Sequence, residues 1–210
     1  RVRLSLGSIS AHDSSMRGSN EKTSNDEDGT ASVTLRRGGR LGAESEPAFT
    51  LTIPGGLPAP VLIAVPHAGR HYPDQVRNAM RNPDWGSAKL EDRFADRLGE
   101  AVAAATGAAL LVAHAPRAMI DLNRAPDDID WGMVTGAADR RTPHSLANRR
   151  ARSGLGLVPR RLPGLGEIWK GRLTVKELDE RLAYIHRPYH RAAGEMLEQI
   201  RDRWGAALLI

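Results

Sequence analysis

The sequence predicts an α/β fold, and three observations carry that prediction. Val61–Val65 (VLIAV) is a short, continuous apolar run with β-branched residues, as in a strand buried on both faces, and Ala109–Ala113 (ALLVA) makes a second apolar strand. Between them Leu90, Phe94, Leu98 and Val102 recur at four-residue steps, the apolar stripe of a helix. Polar residues gather where the strands stop, as they do when an open α/β sheet presents its chemistry at the carboxyl ends of its strands.

Composition narrows the classes. A chain of 210 residues suffices for one domain with a substantial core, or for one domain and an arm. With 40% hydrophobic and 26% charged residues the chain reads as globular. No apolar run reaches the roughly 20 residues of a membrane span, and no h-region of a signal peptide opens the chain, so a cytoplasmic protein is expected. The absence of cysteine excludes disulfides, thiolate nucleophiles and thiolate metal sites, so any metal must be held by His, Asp or Glu. The net charge of +5 suits a nucleic-acid partner or an anionic small molecule. Dispersed arginines, with only 3 Tyr and 2 Phe as stacking platforms, favour the small molecule, and no nucleic-acid partner is expected.

Taken in order, residues 1–45 are rich in Ser, Gly, Asn, Asp and Arg without apolar periodicity, so they are expected to form a disordered arm, with the folded domain over 46–210. Met16 lies inside that arm, which leaves the residues before it as a candidate non-native leader. A strand is expected near Phe49–Ile53. After Val61–Val65 comes PHAGRHYP, a strand-end loop carrying His67, Arg70 and His71. Ser87 is placed to cap a helix over about Ala88–Ala105, with Glu91 and Asp92 in its first turn, where the dipole favours acids. In a βαβ unit that helix starts at the edge where the strand ended, so the acids can neighbour His67. By helical angle Glu91 lies nearer the apolar stripe than Asp92. Gly107 ends the helix.

RAMIDLNR, Arg117–Arg124, reads as the tail of a buried strand over Ala118–Ile120, followed by Asp121, Asn123 and Arg124. An Arg beside an Asn makes a multi-donor clamp suited to a carboxylate; a turn with a solvated Asp121–Arg124 ion pair is the plainer alternative. Residues 125–152 are too long and polar for a passive connection and are expected to be a lid or substrate loop. GLGLVPR and PGLGEIWKG read as a short strand or hairpin and a turn, with Arg160 and Trp169 either facing substrate or packing. Thr174 and Glu177 form a capping box at the start of the longest helical pattern. In HRPYH, His186–His190, Pro188 is expected to kink or break that helix; the histidines are either a functional cluster or a solvated kink beside a core Tyr189. Gly205 ends it, and Ala206–Ile210 reads as another buried strand.

The ordered series PHAGRHYP, LEDRFADRL, PRAMIDLNRAP, GLGLVPR, GEIWKGRLTVKELDERL and HRPYH, with the apolar strand after it, resembles the N-formylglutamate amidohydrolase family over Pro60–Ile210. That family is similar to zinc carboxypeptidases and aspartoacylases. The resemblance implies a mixed, mostly parallel sheet flanked by helices in a three-layer sandwich, and a Zn2+-dependent amidohydrolase. It implies His67 as a zinc ligand and catalytic residue, with Ala68 replacing the serine of the family's PHSG loop. Asp92 matches the recurrent metal carboxylate, with Glu91 in reserve, against the helical-angle preference. Asp121, Asn123 and Arg124 fall on the element that binds a substrate carboxylate, with Arg70, Arg160 and His190 as further substrate contacts. Arg117 is assigned the developing oxyanion or a second carboxylate. The family continues with an Asp-x-His-Ser element, so the third ligand and the general base are expected beyond Ile210, and low activity is expected of the 210-residue chain. The implied reaction is hydrolysis of N-formyl-L-glutamate or a similar N-acyl amino acid. The alternative is a non-catalytic protein that binds anions or nucleic acid through a degenerate site.

Overall fold

The computed structural model describes residues 21–24, 32–42, 46–137 and 149–210. In chain order these form β1 (Glu21–Ser24), β2 (Val33–Gly38), β3 (Phe49–Pro54), β4 (Val61–Val65), α1 (Asp74–Ala79), α2 (Pro83–Leu90), α3 (Ala95–Thr106) and β5 (Ala109–Ala113). Then follow β6 (Val134–Thr135), α4 (Arg149–Arg152), β7 (Arg161–Leu162), β8 (Gly166–Glu167), β9 (Leu173–Thr174), α5 (Val175–Arg181), α6 (Arg187–Trp204) and β10 (Leu208–Leu209).

The principal sheet runs β1-β2-β3-β5-β4-β10. Its β5, β4 and β10 strands are parallel, whereas β1, β2 and β3 join through antiparallel pairings. The sheet is therefore mixed, as expected, but antiparallel pairings outnumber parallel ones among the described strands. The arm boundary expected at residue 45 is corrected too. Val33–Gly38 pairs residue for residue with Phe49–Pro54, so the sheet begins well before residue 46. Arg36 and Arg37 hide this strand in the sequence, because an edge region solvated on one side tolerates charge where a central strand does not.

Alternation along the strands divides the core into two layers. Leu51, Leu62, Leu111 and Ala113 join Tyr189, Met196 and Ile200 of α6 in the main core. Val65 and Leu110 turn to the other face, where Ala95 and Ala103 of α3 pack on them with Ile63 and Val112. Helices thus cover both faces, giving three layers.

Two helices differ from expectation. The expected helix over 88–105 is split: α2 is capped by the Asn82 side chain, and α3 begins after Phe94, whose left-handed backbone (φ 67°) interrupts the helix. Glu91 and Asp92 accordingly lie in the connector rather than in a first turn. The stripe that suggested one helix is not buried below Leu90, since Phe94, Leu98 and Val102 are exposed. In the longest helix Pro188 causes no break. A π-helical turn, Leu182–His186, joins α5 to α6. Pro188 has no N–H to give the carbonyl four residues back, Tyr184, and the backbone N–H of Arg40 donates to that oxygen instead at 3.0 Å. Gly39 makes the approach possible: its φ is +64°, and a Cβ there would lie 2.6 Å from the same oxygen.

Thr174 and Glu177 form the expected capping box, and Gly107 and Gly205 end their helices with left-handed backbones. The expected buried terminal strand is instead an exposed edge. β10 pairs with β4, yet Leu208, Leu209 and Ile210 are more than half exposed, because no described element covers them. Among the described residues no helix is long and apolar enough to cross a membrane.

Candidate active site

The carboxyl end of β4 carries His67, which the backbone brings to its partners. The N–H of Asp92 donates to the His67 carbonyl at 3.0 Å, tying the α2–α3 connector to the loop after β4. Gly69 lets this loop press against the segment after β5, where a Cβ would meet the Ala115 carbonyl oxygen at 2.1 Å.

The buried imidazole of His67 then lies between two carboxylates. Its Nδ1 is 3.3 Å from Asp92 Oδ2 and its Nε2 is 2.9 Å from Asp121 Oδ1. The two acids differ sharply in exposure, at 59% for the Asp92 side chain and 1% for Asp121. Acceptors on both ring nitrogens require either a proton on each or a cation in place of one. The exposed side, between Nδ1 and Asp92, is the one a cation can reach. An imidazole and a carboxylate are zinc donors, and a buried carboxylate on the far ring nitrogen is the usual outer partner of a ligating histidine. The residues present therefore fit zinc as two of its ligands. Among the described residues no group of three or more His, Asp or Glu side chains is arranged to hold a metal.

Asp121 is the hub. Oδ1 accepts from His67 and from the backbone N–H of Asn123 at 2.9 Å, and Oδ2 accepts from Arg117 Nε at 2.9 Å. Burial alone would raise its pKa, but His67, Arg117 and the Asn123 N–H outweigh burial and hold the carboxyl below its ordinary value. RAMIDLNR is not the end of a strand. Ala118–Ile120 is buried but turned, with the N–H groups of Met119 and Ile120 both donating to the Pro116 carbonyl. GLGLVPR supports it from the side: the Leu157 carbonyl accepts from Asp121 N at 2.7 Å, and Leu157 N donates to the Asp128 carbonyl at 2.6 Å.

Asn123 and Arg124 line an open groove together with Leu122, Pro126, His186 and His190. Arg124 Nε is buried, makes no hydrogen bond among the described residues, and stands 3.7 Å from Asp121 Oδ2. The Arg124 side chain also borders the groove beside Asn123, where a guanidinium and an amide together suit an anion.

The other sequence candidates lie apart from this groove. Glu91 is turned inward, 3.4 Å from Arg93 and beside Tyr72, whose hydroxyl is pushed up by burial and by that carboxylate. Asp92 rather than Glu91 is therefore the acid at His67. Arg70 bonds Asp96 on α3 and faces a separate cavity with His71 and His114. Arg160 is held by Asp130 at 2.9 Å and Glu167 at 3.1 Å, near Trp169, which packs and donates to the Pro159 carbonyl. Part of the expected substrate loop, residues 138–148, lies outside the described residues. Sequence reasoning missed the Thr50–His114 hydrogen bond of 2.6 Å and the stacking of His71 on His114 at 5.5 Å. Residues so far apart along the chain give no local signal.

The family profile described as N-formylglutamate amidohydrolase matches residues 59–210. N-formylglutamate deformylase of Pseudomonas putida is 34% identical over 157 residues, covering 71% of this chain and 49% of that protein. The enzyme of the same name from Pseudomonas aeruginosa is 29% identical over 160 residues, covering 71% of this chain and 50% of that protein. The crystal structure of N-formylglutamate amidohydrolase from Ralstonia eutropha JMP134 superposes with a TM-score of 0.67 at 33% identity, covering 77% of this chain and 56% of that one. The chain thus spans about half the length of the curated relatives it matches.

Proposed function

The chain belongs to the N-formylglutamate amidohydrolase family, and from that premise we propose that it serves hydrolysis of the amide of N-formyl-L-glutamate, releasing formate and glutamate. The observation that carries this reading is the pairing of Arg124 with Asn123 along an open groove, on the same short segment as the acid that holds His67.

Arg124 and Asn123 bind a carboxylate of the substrate and fix its orientation, which converts part of the barrier into binding. The carboxylate is the glutamate end, because a formyl group offers no charge to a guanidinium. His67 and Asp92 would hold zinc, which when bound supplies Lewis-acid polarisation and lowers the pKa of water. Asp121 fixes the His67 ring by accepting from Nε2, so that Nδ1 is the nitrogen left for a cation. It is a positioning group rather than a substrate contact, since protein donors already occupy both its oxygens and an anionic substrate would be repelled by it. Arg117 neutralises Asp121 from the opposite side, and that ion pair lets a buried carboxylate stay charged beside the site.

The test follows formate release from N-formyl-L-glutamate by the full-length, zinc-loaded protein as wild type, Arg124→Ala and His67→Ala. Arg124→Ala should raise KM about 30-fold or more, the effect of removing one partner of a desolvated charge pair. His67→Ala should abolish turnover. An unchanged KM in Arg124→Ala removes the clamp, and full activity in His67→Ala removes the metal-side assignment.

A further inference from the structure

The reaction as proposed leaves two histidines without a task. His186 is 5% exposed, and its Nε2 lies 2.9 Å from the Arg124 carbonyl oxygen. His190, one helical turn further, is exposed beside it. The two rings are 4.2 Å apart between centroids, and both line the groove beside Asn123 and Arg124. A carbonyl oxygen can only accept, so the His186 ring must present an N–H to it, and a neutral imidazole has one to give.

The bonded carbonyl is that of Arg124 itself. The segment that carries it has no helix or strand of its own and turns tightly, with Arg124 N donating to the Asp121 carbonyl at 3.1 Å. The donor, by contrast, sits at the start of a long helix. Tyr189, Ala192, Met196 and Ile200 anchor α6 in the main core. A loop is thereby fixed to a rigid element, which is how a binding side chain gains an orientation its own segment cannot supply.

We propose that His186 is a positioning residue that grips the carbonyl of Arg124 and, with the His190 ring against its own, aims the Asn123 and Arg124 side chains into the groove. The proposal rests on the reading that Asn123 and Arg124 bind the substrate carboxylate. It assigns HRPYH a function without substrate contact, and it makes affinity depend on residues more than 60 positions away from the clamp.

The experiment compares His186→Phe, which keeps a ring and loses the donor, with His186→Gln, whose amide can donate in its place, and with His190→Phe and Arg124→Ala. Two quantities are measured on the purified protein: amide-hydrogen exchange in residues 122–126 and in α6, and Kd for N-formyl-L-glutamate by calorimetry. In His186→Phe, exchange over 122–126 should accelerate about tenfold while α6 stays protected, and Kd should weaken about tenfold, the size of effect one lost hydrogen bond produces. His190→Phe, which keeps the ring contact, should leave both quantities within about twofold of the wild type, and His186→Gln should restore them. If Arg124→Ala weakens binding but His186→Phe does not, the positioning proposal fails and the clamp stands. If Arg124→Ala leaves Kd unchanged, or the wild type does not bind, the clamp reading fails and takes this proposal with it. Equal impairment by Gln and Phe, or loosening of α6 as a whole, would show a packing role and overturn the proposal.

Discussion

Asp121→Asn changes one carboxylate oxygen to an amide nitrogen and leaves side-chain volume almost unaltered, so any loss reports electrostatics rather than a cavity. Three donors converge on the carboxylate, from His67, from Arg117 and from the Asn123 backbone. An amide has one oxygen. If that oxygen stays toward His67 and Asn123, an NH2 faces the Arg117 guanidinium; if the amide flips, the NH2 faces the other two donors. Either way at least one donor loses its acceptor, and the Arg117 charge loses its buried counter-charge, with Arg124 a further 3.7 Å neighbour. Breaking a buried ion pair from one side costs about 3–5 kcal/mol. Arg117 and Arg124 are about one-fifth exposed, so the low end, about 3 kcal/mol, is the better figure. For a chain of this length that corresponds to a fall in Tm of roughly 6–12 °C. The control is Asp92→Asn. Its partner His67 is the same, but Asp92 is 59% exposed, and a solvated pair contributes about 0–1 kcal/mol. Urea unfolding of both variants with the wild type gives the two values directly. An Asp121→Asn loss no larger than that of Asp92→Asn would refute the hub. Combining Asp121→Asn with Arg117→Met should recover part of the loss, since the two sites are in contact and their effects do not add.

Two further outcomes follow from local chemistry. Thr174→Ala removes half of a reciprocal capping box, in which the hydroxyl accepts from Glu177 N at 3.2 Å, and should cost about 1 kcal/mol in urea unfolding; no change would mean that α5 is held by its packed face alone. His114, His186 and His190 are each held below the ordinary imidazole value, 6.5, with burial as the first cause. Between their folded values and 6.5 the unfolded chain binds more protons than the folded one, so stability is full above about pH 6.5 and falls as pH drops through that window. The urea midpoint should decline from about pH 7.5 to about pH 5.5 and decline less in His114→Asn, where a flat or rising profile contradicts the assignment.

What the sequence makes legible is what depends on near neighbours. Val61–Val65 and Ala109–Ala113 are strands at the expected residues because continuous β-branched and aliphatic runs suit a sheet covered on both sides. The Thr174 box is read from two residues three apart. Phe94 shows the limit: its place in an apolar stripe suggests a helix running through it, whereas its left-handed backbone divides α2 from α3 and puts Asp92 beside His67. The helical angle places Glu91 inward, and it is buried, but beyond that break it is the exposed Asp92 that reaches His67. The buried run Ala118–Ile120 was apolar enough for a strand, but Pro116 and the need to point Asp121 inward turn it. The partners of the site, Asp121 to His67 and His186 to Arg124, are 54 and 62 residues apart, and residue types alone cannot specify such pairings.

The carbonyl that Pro188 leaves open in the long helix has a bearing on how the chain can vary. That oxygen accepts from the Arg40 amide, and Arg40 also lays its guanidinium on the Tyr184 ring at 3.7 Å. Any residue other than proline at 188 brings an N–H that competes for the same oxygen, and any residue other than glycine at 39 blocks the approach from the sheet side. Positions 39 and 188 therefore belong to one joint between the β2–β3 side of the sheet and the helix that bears His186, although 149 residues separate them. A change on either side of the joint would shift the helix relative to the sheet, and with it the pair of rings that stands over Asn123.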